Sequence, residues 1–149
     1  MSQAWQDKIK LLLGILDDQR DISDLVLSNF RAEAVEFINT VVIPAFQELR
    51  DIISKFNRSV VVSSEIDNKD ILPNAEFIVY RNNDKEFNYT AKVLFDETNI
   101  LVHLFTYDPI TQKPHNVKLK THAGYFIHAL TKEMIINSVV NEYSKLQLK

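Results

Sequence analysis

The sequence contains no cysteine. Disulfides, thiolate metal sites and cysteine nucleophiles are therefore excluded. Glycine is almost as scarce, with Gly14 and Gly124 the two present in 149 residues, against about 7% in ordinary usage. Phosphate-cradling loops need clustered glycines for close backbone approach. Neither glycine has another at usable spacing, which argues against the common nucleotide-binding enzymes.

Long hydrophobic runs are missing too. The longest near the start, Leu11-Leu12-Leu13-Gly14-Ile15-Leu16, falls well short of the roughly 20 apolar residues that span a bilayer. No basic-plus-apolar signal appears before it. The expected setting is a reducing cytoplasm, with no membrane partner. No large excess of one charge exists: the net charge is −3. A dedicated nucleic-acid binder gains its affinity by neutralising phosphates, so an acidic balance argues against one. Residues 1–56 hold nine acids and six bases, whereas residues 57–149 hold eleven of each.

What remains is the composition of an ordinary globular protein, of a length that suits a single domain with a real core. The longest helical pattern runs from Ser28 to Phe56. Phe30, Ala34, Phe37, Val41, Ala45, Leu49, Ile52 and Phe56 recur every three or four residues and predict one apolar side. Val35, Ile38, Val42, Phe46 and Ile53 widen it into a face that lies on a core. Pro44 interrupts the pattern, because its ring clashes with the Thr40 carbonyl and it has no N–H to donate. Either the helix kinks there, or one helix ends near Thr40 and another starts with Pro44 in its first turn. The unbroken apolar phase from Val41 to Ala45 favours a single kinked helix.

A first helix is expected over 3–17, with Trp5, Ile9, Leu12, Leu13 and Leu16 on one face. Residues 22–27 are either a bridging turn or the start of the main helix. After Asn57-Arg58-Ser59 the pattern turns to strands, at 59–66, Glu76 to Arg81, Phe87 to Phe95 and Ile100 to Tyr107. A two-residue turn at Asn83-Asp84 predicts Arg81 opposite Glu86. The connection from Asp96 to Asn99 predicts Phe95 opposite Ile100 and Val93 opposite Val102. Propagated, these registers place Ile78, Tyr80, Phe87, Tyr89, Ala91, Val93, Phe95, Ile100, Val102 and Leu104 on a face for the main helix. The opposite face then carries Phe77, Val79, Asn88, Thr90, Lys92, Leu94, Leu101, His103, Phe105 and Tyr107. Residues 108–116 read as a loop, Val117 to Lys120 as a short edge strand, and Tyr125 to Ala129 as either strand or helix. Thr131 is a good N-cap for a final helix over 132–146. The expected fold is α+β: two N-terminal helices, a four- to five-stranded antiparallel meander and a C-terminal helix.

The mixed face is the main candidate site. Phe77, Asn88, Thr90, Lys92, His103, Phe105 and Tyr107 combine a cation, an imidazole, a hydroxyl and aromatic walls, a set that can hold an anionic or aromatic ligand. The simpler reading packs the helix at 3–17 there, with Lys92 reaching past it to water; a third makes the face a dimer interface. His103, His115, His122 and His128 lack the i, i+4 spacing of a helical metal site, so no metal or cofactor is expected. Ser63, Ser64 and Glu65 fit outward strand positions better than a hydrolase centre. Phe105 and Tyr107 could stack single-stranded bases, but no glycine-containing RNA-binding motif accompanies them. The leading expectation is a non-catalytic interaction or regulatory domain that self-associates or joins a protein assembly. Small-molecule binding or weakly marked enzymology at Lys92 and His103 comes second, and nucleic-acid binding a distant third.

Overall fold

The computed structural model describes residues 20–68, 70–95, 100–117 and 127–147. The helix expected at 3–17 and its Trp5 face lie outside them. Residues 20–56 form one joined helix in successive segments: α1 (Arg20–Phe37), a π-helical turn (Ile38–Val42), α2 (Ile43–Ile53) and a closing 3-10 turn (Ser54–Phe56). The expected count of two N-terminal helices thus becomes one helix among the described residues, and residues 22–27 are its start rather than a bridge.

Pro44 explains the π-turn. It is the second residue of α2, directly after the wider turn, and it has no N–H to donate. The N–H of Ile43 reaches back five residues to the Ile38 carbonyl, a wider loop that carries the chain past the proline without ending the helix. Thr40 adds a bond from its Oγ1 to the Glu36 carbonyl at 2.7 Å. Across the wider turn the buried line passes through Val42 rather than Val41. Ala34, Phe37, Ile38, Val42, Ala45, Phe46 and Leu49 are buried, whereas Val41 packs only partly. Ile52 and Phe56, expected on the same face, stay exposed at 58% and 64%.

Five antiparallel strands follow in simple sequence order: β1 (Ser59–Glu65), β2 (Asn74–Arg81), β3 (Asp84–Phe95), β4 (Ile100–Tyr107) and β5 (Pro114–Asn116). The β3–β4 register is the one expected, with Phe95 opposite Ile100, Val93 opposite Val102 and Lys92 opposite His103. The β2–β3 register is not. Asn82 and Asn83 take positive φ of 52° and 69°, so the two-residue turn lies one position earlier than Asn83-Asp84 and sets Arg81 opposite Asp84. A bulge between Val79 and Tyr80 then leaves Glu86 as the extra residue, and beyond it Phe77 pairs with Tyr89. Because side chains alternate with period two, this slip reverses the faces of β2. Phe77 and Val79 lie in the helix-side core and Ile78 turns to the other face, the opposite of expectation.

The fifth strand also differs. It is Pro114–Asn116, inside the stretch expected to be loop, with Thr106 opposite His115. Residues 118–126 lie outside the described ones. Ile127–Ala129 is a 3-10 turn leading to α3 (Lys132–Gln147), and Thr131 caps α3 by accepting from the Met134 N–H at 3.3 Å.

The core lies between the sheet and the helices. Phe46 meets Phe77 and Tyr89 at ring separations of 5.3 and 6.1 Å. The buried Tyr89 hydroxyl shares a 2.7 Å hydrogen bond with Ser138 of α3. α2 lies on β1 and against α3, and Lys132 and Glu48 pair at 3.1 Å where the helices meet. Arg31 ties α1 to the β1–β2 loop, its guanidinium donating to the carbonyls of Ile66, Asn68 and Ile71.

Candidate functional site

Phe77 and Val79 leave the mixed face for the core, and the candidate site residues on β3 and β4 share one side of the sheet. Thr90 faces Phe105, and Lys92 faces His103. Phe77 is fully buried on the opposite side and leaves the set. The polar members are satisfied by one another. Asn88 donates to Glu76 at 3.1 Å and accepts from the Thr90 hydroxyl at 3.2 Å, and both Asn88 and Thr90 are buried. Buried polar groups need such partners, since an unpaired one costs about 1–3 kcal/mol. His103 Nε2 and the Asn116 side-chain oxygen are 2.7 Å apart, a bond in which the ring N–H donates. The ring also packs on Phe105 at 4.9 Å, and Phe105 meets Tyr107 edge-on at 5.3 Å. The result is a braced row, His103-Phe105-Tyr107, with Lys92 beside it and no hydrogen bond or ion pair to the Lys92 side chain among the described residues.

The row ends at the start of the loop expected at 108–116, which the candidate site had not included. Asp108 opens it, and one carboxylate oxygen accepts from the backbone N–H groups of Ile110 and Thr111 at 2.8 and 2.9 Å. Those bonds hold the Asp108 carboxyl below the usual carboxylate range. The Gln112 N–H returns to the Asp108 carbonyl at 2.8 Å, and the Asp108 N–H donates to the Lys113 carbonyl at 3.0 Å. Gln112 takes a left-handed φ of 62°, uncommon for a residue of its type. At the tip of this braced loop Ile110 is 90% exposed. The signal for it was present in Asp108-Pro109, a turn opener whose carboxylate caps the residues that follow.

Two clefts flank Tyr107, Asp108 and Pro109. One, of about 180 Å³, is lined by Glu76, Lys85, Asn88 and Gln112 among others. The second, of about 560 Å³, opens on the helix side between Thr106, His115, Glu142, Lys145 and Leu146. Asn88 and Tyr107 are the expected site residues that reach a cleft wall.

A separate cluster also escaped the sequence reading. The bulge turns Glu86 to the helix side, where Arg58 contacts it through Nε at 3.3 Å and Nη2 at 3.4 Å, and the Tyr143 hydroxyl donates to it at 2.5 Å. A bulge re-aims a side chain in this way. Burial works to raise the Glu86 carboxyl, but the Tyr143 and Arg58 hydrogen bonds and the guanidinium charge outweigh it and hold the group below its ordinary value. Burial and the neighbouring carboxylate push Tyr143 up to about 12. Arg58 also donates to the Phe56 carbonyl at 2.9 Å, so the cluster ties the helix end, the root of β1, β3 and α3 together.

The histidines are dispersed. His103 bonds Asn116, His128 lies 3.9 Å from Glu33, and His122 is outside the described residues. No group of three His, Cys, Asp or Glu side chains able to hold a metal occurs among the described residues, and no described helix is long and apolar enough to cross a membrane. No family model, no curated protein and no solved structure matches this chain.

Proposed function

We propose that the chain is a non-catalytic interaction or regulatory domain, self-associating or working as a subunit of a larger assembly in a reducing, cytoplasmic setting. One observation carries the reading: an isoleucine exposed at 90% stands on a loop held by four backbone-directed hydrogen bonds. A single exposed apolar residue on a mobile loop would mean little. Here the loop backbone is fixed, a left-handed glutamine is accepted at its base, and the tip stands in water. Burying such a side chain contributes about 1.5–3 kcal/mol, and a preset loop avoids most of the ordering cost of binding.

Ile110→Asp tests it. Proteins recovered with the wild-type chain from cell extract, identified by mass spectrometry, should be lost with the variant while its circular dichroism stays unchanged. If both chains recover the same set, the Ile110 loop is not the contact and the reading loses its support.

Small-molecule binding keeps one supporting observation, since Asn88 and Tyr107 line the smaller cleft together with Lys85 and Asp108. A thermal-shift panel of anionic and aromatic metabolites addresses it. A hit abolished by Tyr107→Ala sustains that reading, and a panel with no hit removes it.

A further inference from the structure

Among the described residues the sheet ends at β1 on one side and β5 on the other, and the two edge strands are built differently. β5 is three residues long and starts at Pro114, which has no N–H to offer, with Lys113 just before it. Short length, proline and lysine are the usual ways a protein blocks an edge against further pairing. β1 has none of them. It runs for seven residues, SVVVSSE, and among the described residues pairs with β2 alone. It contains no proline, lysine or bulge, and its outward N–H and C=O groups have no partner among the described residues. Val61 projects from the sheet face opposite the helices at 46% exposure.

We infer that β1 is a self-association site, on which a second copy of this chain adds its own β1 antiparallel to form one continuous sheet across a two-fold axis. This rests on the interaction-domain reading and names a surface for it, on the opposite edge from the Ile110 loop. The occupant is argued from the strand's own pattern. An antiparallel pair about a two-fold axis can be centred on Val61 or on Val62, but not between them, because a one-residue slip would put inward side chains opposite outward ones. Centred on Val61, the pairs are Val61 with Val61, Val60 with Val62 and Ser59 with Ser63. Apolar residues then meet apolar residues, serines meet serines, and Glu65 falls beyond the paired segment. Centred on Val62, Val61 would face Ser63 and Ser59 would face Glu65, a poorer match. The contact is isologous and closed, so it stops at a dimer, and the guarded β5 edge prevents growth from the far side.

The experiment uses the full chain. Sedimentation velocity over a concentration series should show a species of twice the monomer mass. Val61→Lys places like charges against each other at the axis and should weaken the dimer at least tenfold, whereas Val61→Thr, which keeps the β-branch, should stay dimeric. Unchanged circular dichroism shows that the lysine variant is folded. Because the chain has no cysteine, Val61→Cys gives a unique thiol that should cross-link to itself on mild oxidation, while Ser63→Cys, paired with Ser59, should not. A monomer at every concentration overturns the inference, as does a dimer indifferent to Val61→Lys or one cross-linked equally through either cysteine. A monomeric result would leave the Ile110 reading standing, since that is decided by partner recovery.

Discussion

The two edges of the sheet show how differently one fold can finish its margins. At the β5 edge the chain supplies a proline, a lysine and a three-residue strand, followed by Val117 donating back to the Leu104 carbonyl at 2.9 Å. At the β1 edge it supplies three consecutive valines, and the outer hydrogen-bonding groups have no partner among the described residues. The supports differ as well. β1 is rooted by the Arg58–Glu86–Tyr143 cluster and roofed by α2, whereas the β4–β5 connection is held chiefly through Asp108. A protein that blocked pairing indiscriminately would guard both edges, and the proposed β1 pairing accounts for the one left open.

The largest expected effect removes what the edges share. Phe46→Ala empties the contact with Phe77 and Tyr89 and should cost about 3–5 kcal/mol. Urea denaturation followed by fluorescence and by circular dichroism should show a single, earlier transition. Two separated transitions would mean that the edges belong to independently folding units.

Next comes the root of β1. Glu86→Ala removes the acceptor that Arg58 and Tyr143 share and should cost about 1–2 kcal/mol, the scale of charge-assisted hydrogen bonds. Hydrogen exchange should speed up at Val60 to Val62 and not at His115 and Asn116. The pH dependence follows from the same cluster. The Glu86 carboxyl lies below its ordinary 4.5 in the folded chain, so its contribution is complete above pH 4.5 and disappears as the pH falls through the lowered value. Tyr143 is shifted the other way, from 10.0 to about 12. Its contribution is complete below pH 10 and is lost as the pH rises from 10 towards 12. Thermal melts across pH should therefore drop at both ends, and Glu86→Gln should flatten the acid limb. At the other edge Asp108→Asn should loosen the amides of Ile110 and Thr111 and leave β1 protection unchanged.

The smallest effect on stability is the most pointed test of the contrast. Pro114→Val gives β5 a donor and a β-branched residue at an exposed position. Folding stability should move by less than about 0.5 kcal/mol. Light scattering should nevertheless reveal association beyond a dimer, because the guarded edge has been opened. If the variant associates no further, the proline was not the guard.

Much of this was legible in the chain, and the failures have physical causes. The β3–β4 register followed from the short connection between Phe95 and Ile100, which set Lys92 opposite His103, and the clean alternation at Phe87, Tyr89, Ala91 and Val93 agreed with it. The β2–β3 register failed because Asn82, Asn83 and Asp84 can all accept left-handed turn geometry, and Phe77-Ile78-Val79-Tyr80 is apolar throughout, so neither turn chemistry nor alternation chose between two registers. The bulge at Glu86 then hid one residue from any count. That error put Phe77 in the candidate site and concealed the Arg58–Glu86–Tyr143 cluster. His103 was placed correctly, but its partner Asn116 was missed because the last strand begins at Pro114, a residue that reads as loop.

The π-turn at Ile38–Val42 bears on how the chain tolerates changes in length. Such a turn is equivalent to a one-residue insertion that the helix has already absorbed. Deleting one residue there while replacing Pro44 by alanine should let the segment close as ordinary α-helix, with Ala34 and Phe37 before it and Phe46 and Leu49 after it still on the sheet side. The deletion alone would drive the proline ring back onto a carbonyl. The same deletion inside α1 or α2 would rotate everything beyond it by about 100° and take the buried face out of the core. The most irregular stretch of the helix is thus the place where its reading frame of side chains can be reset.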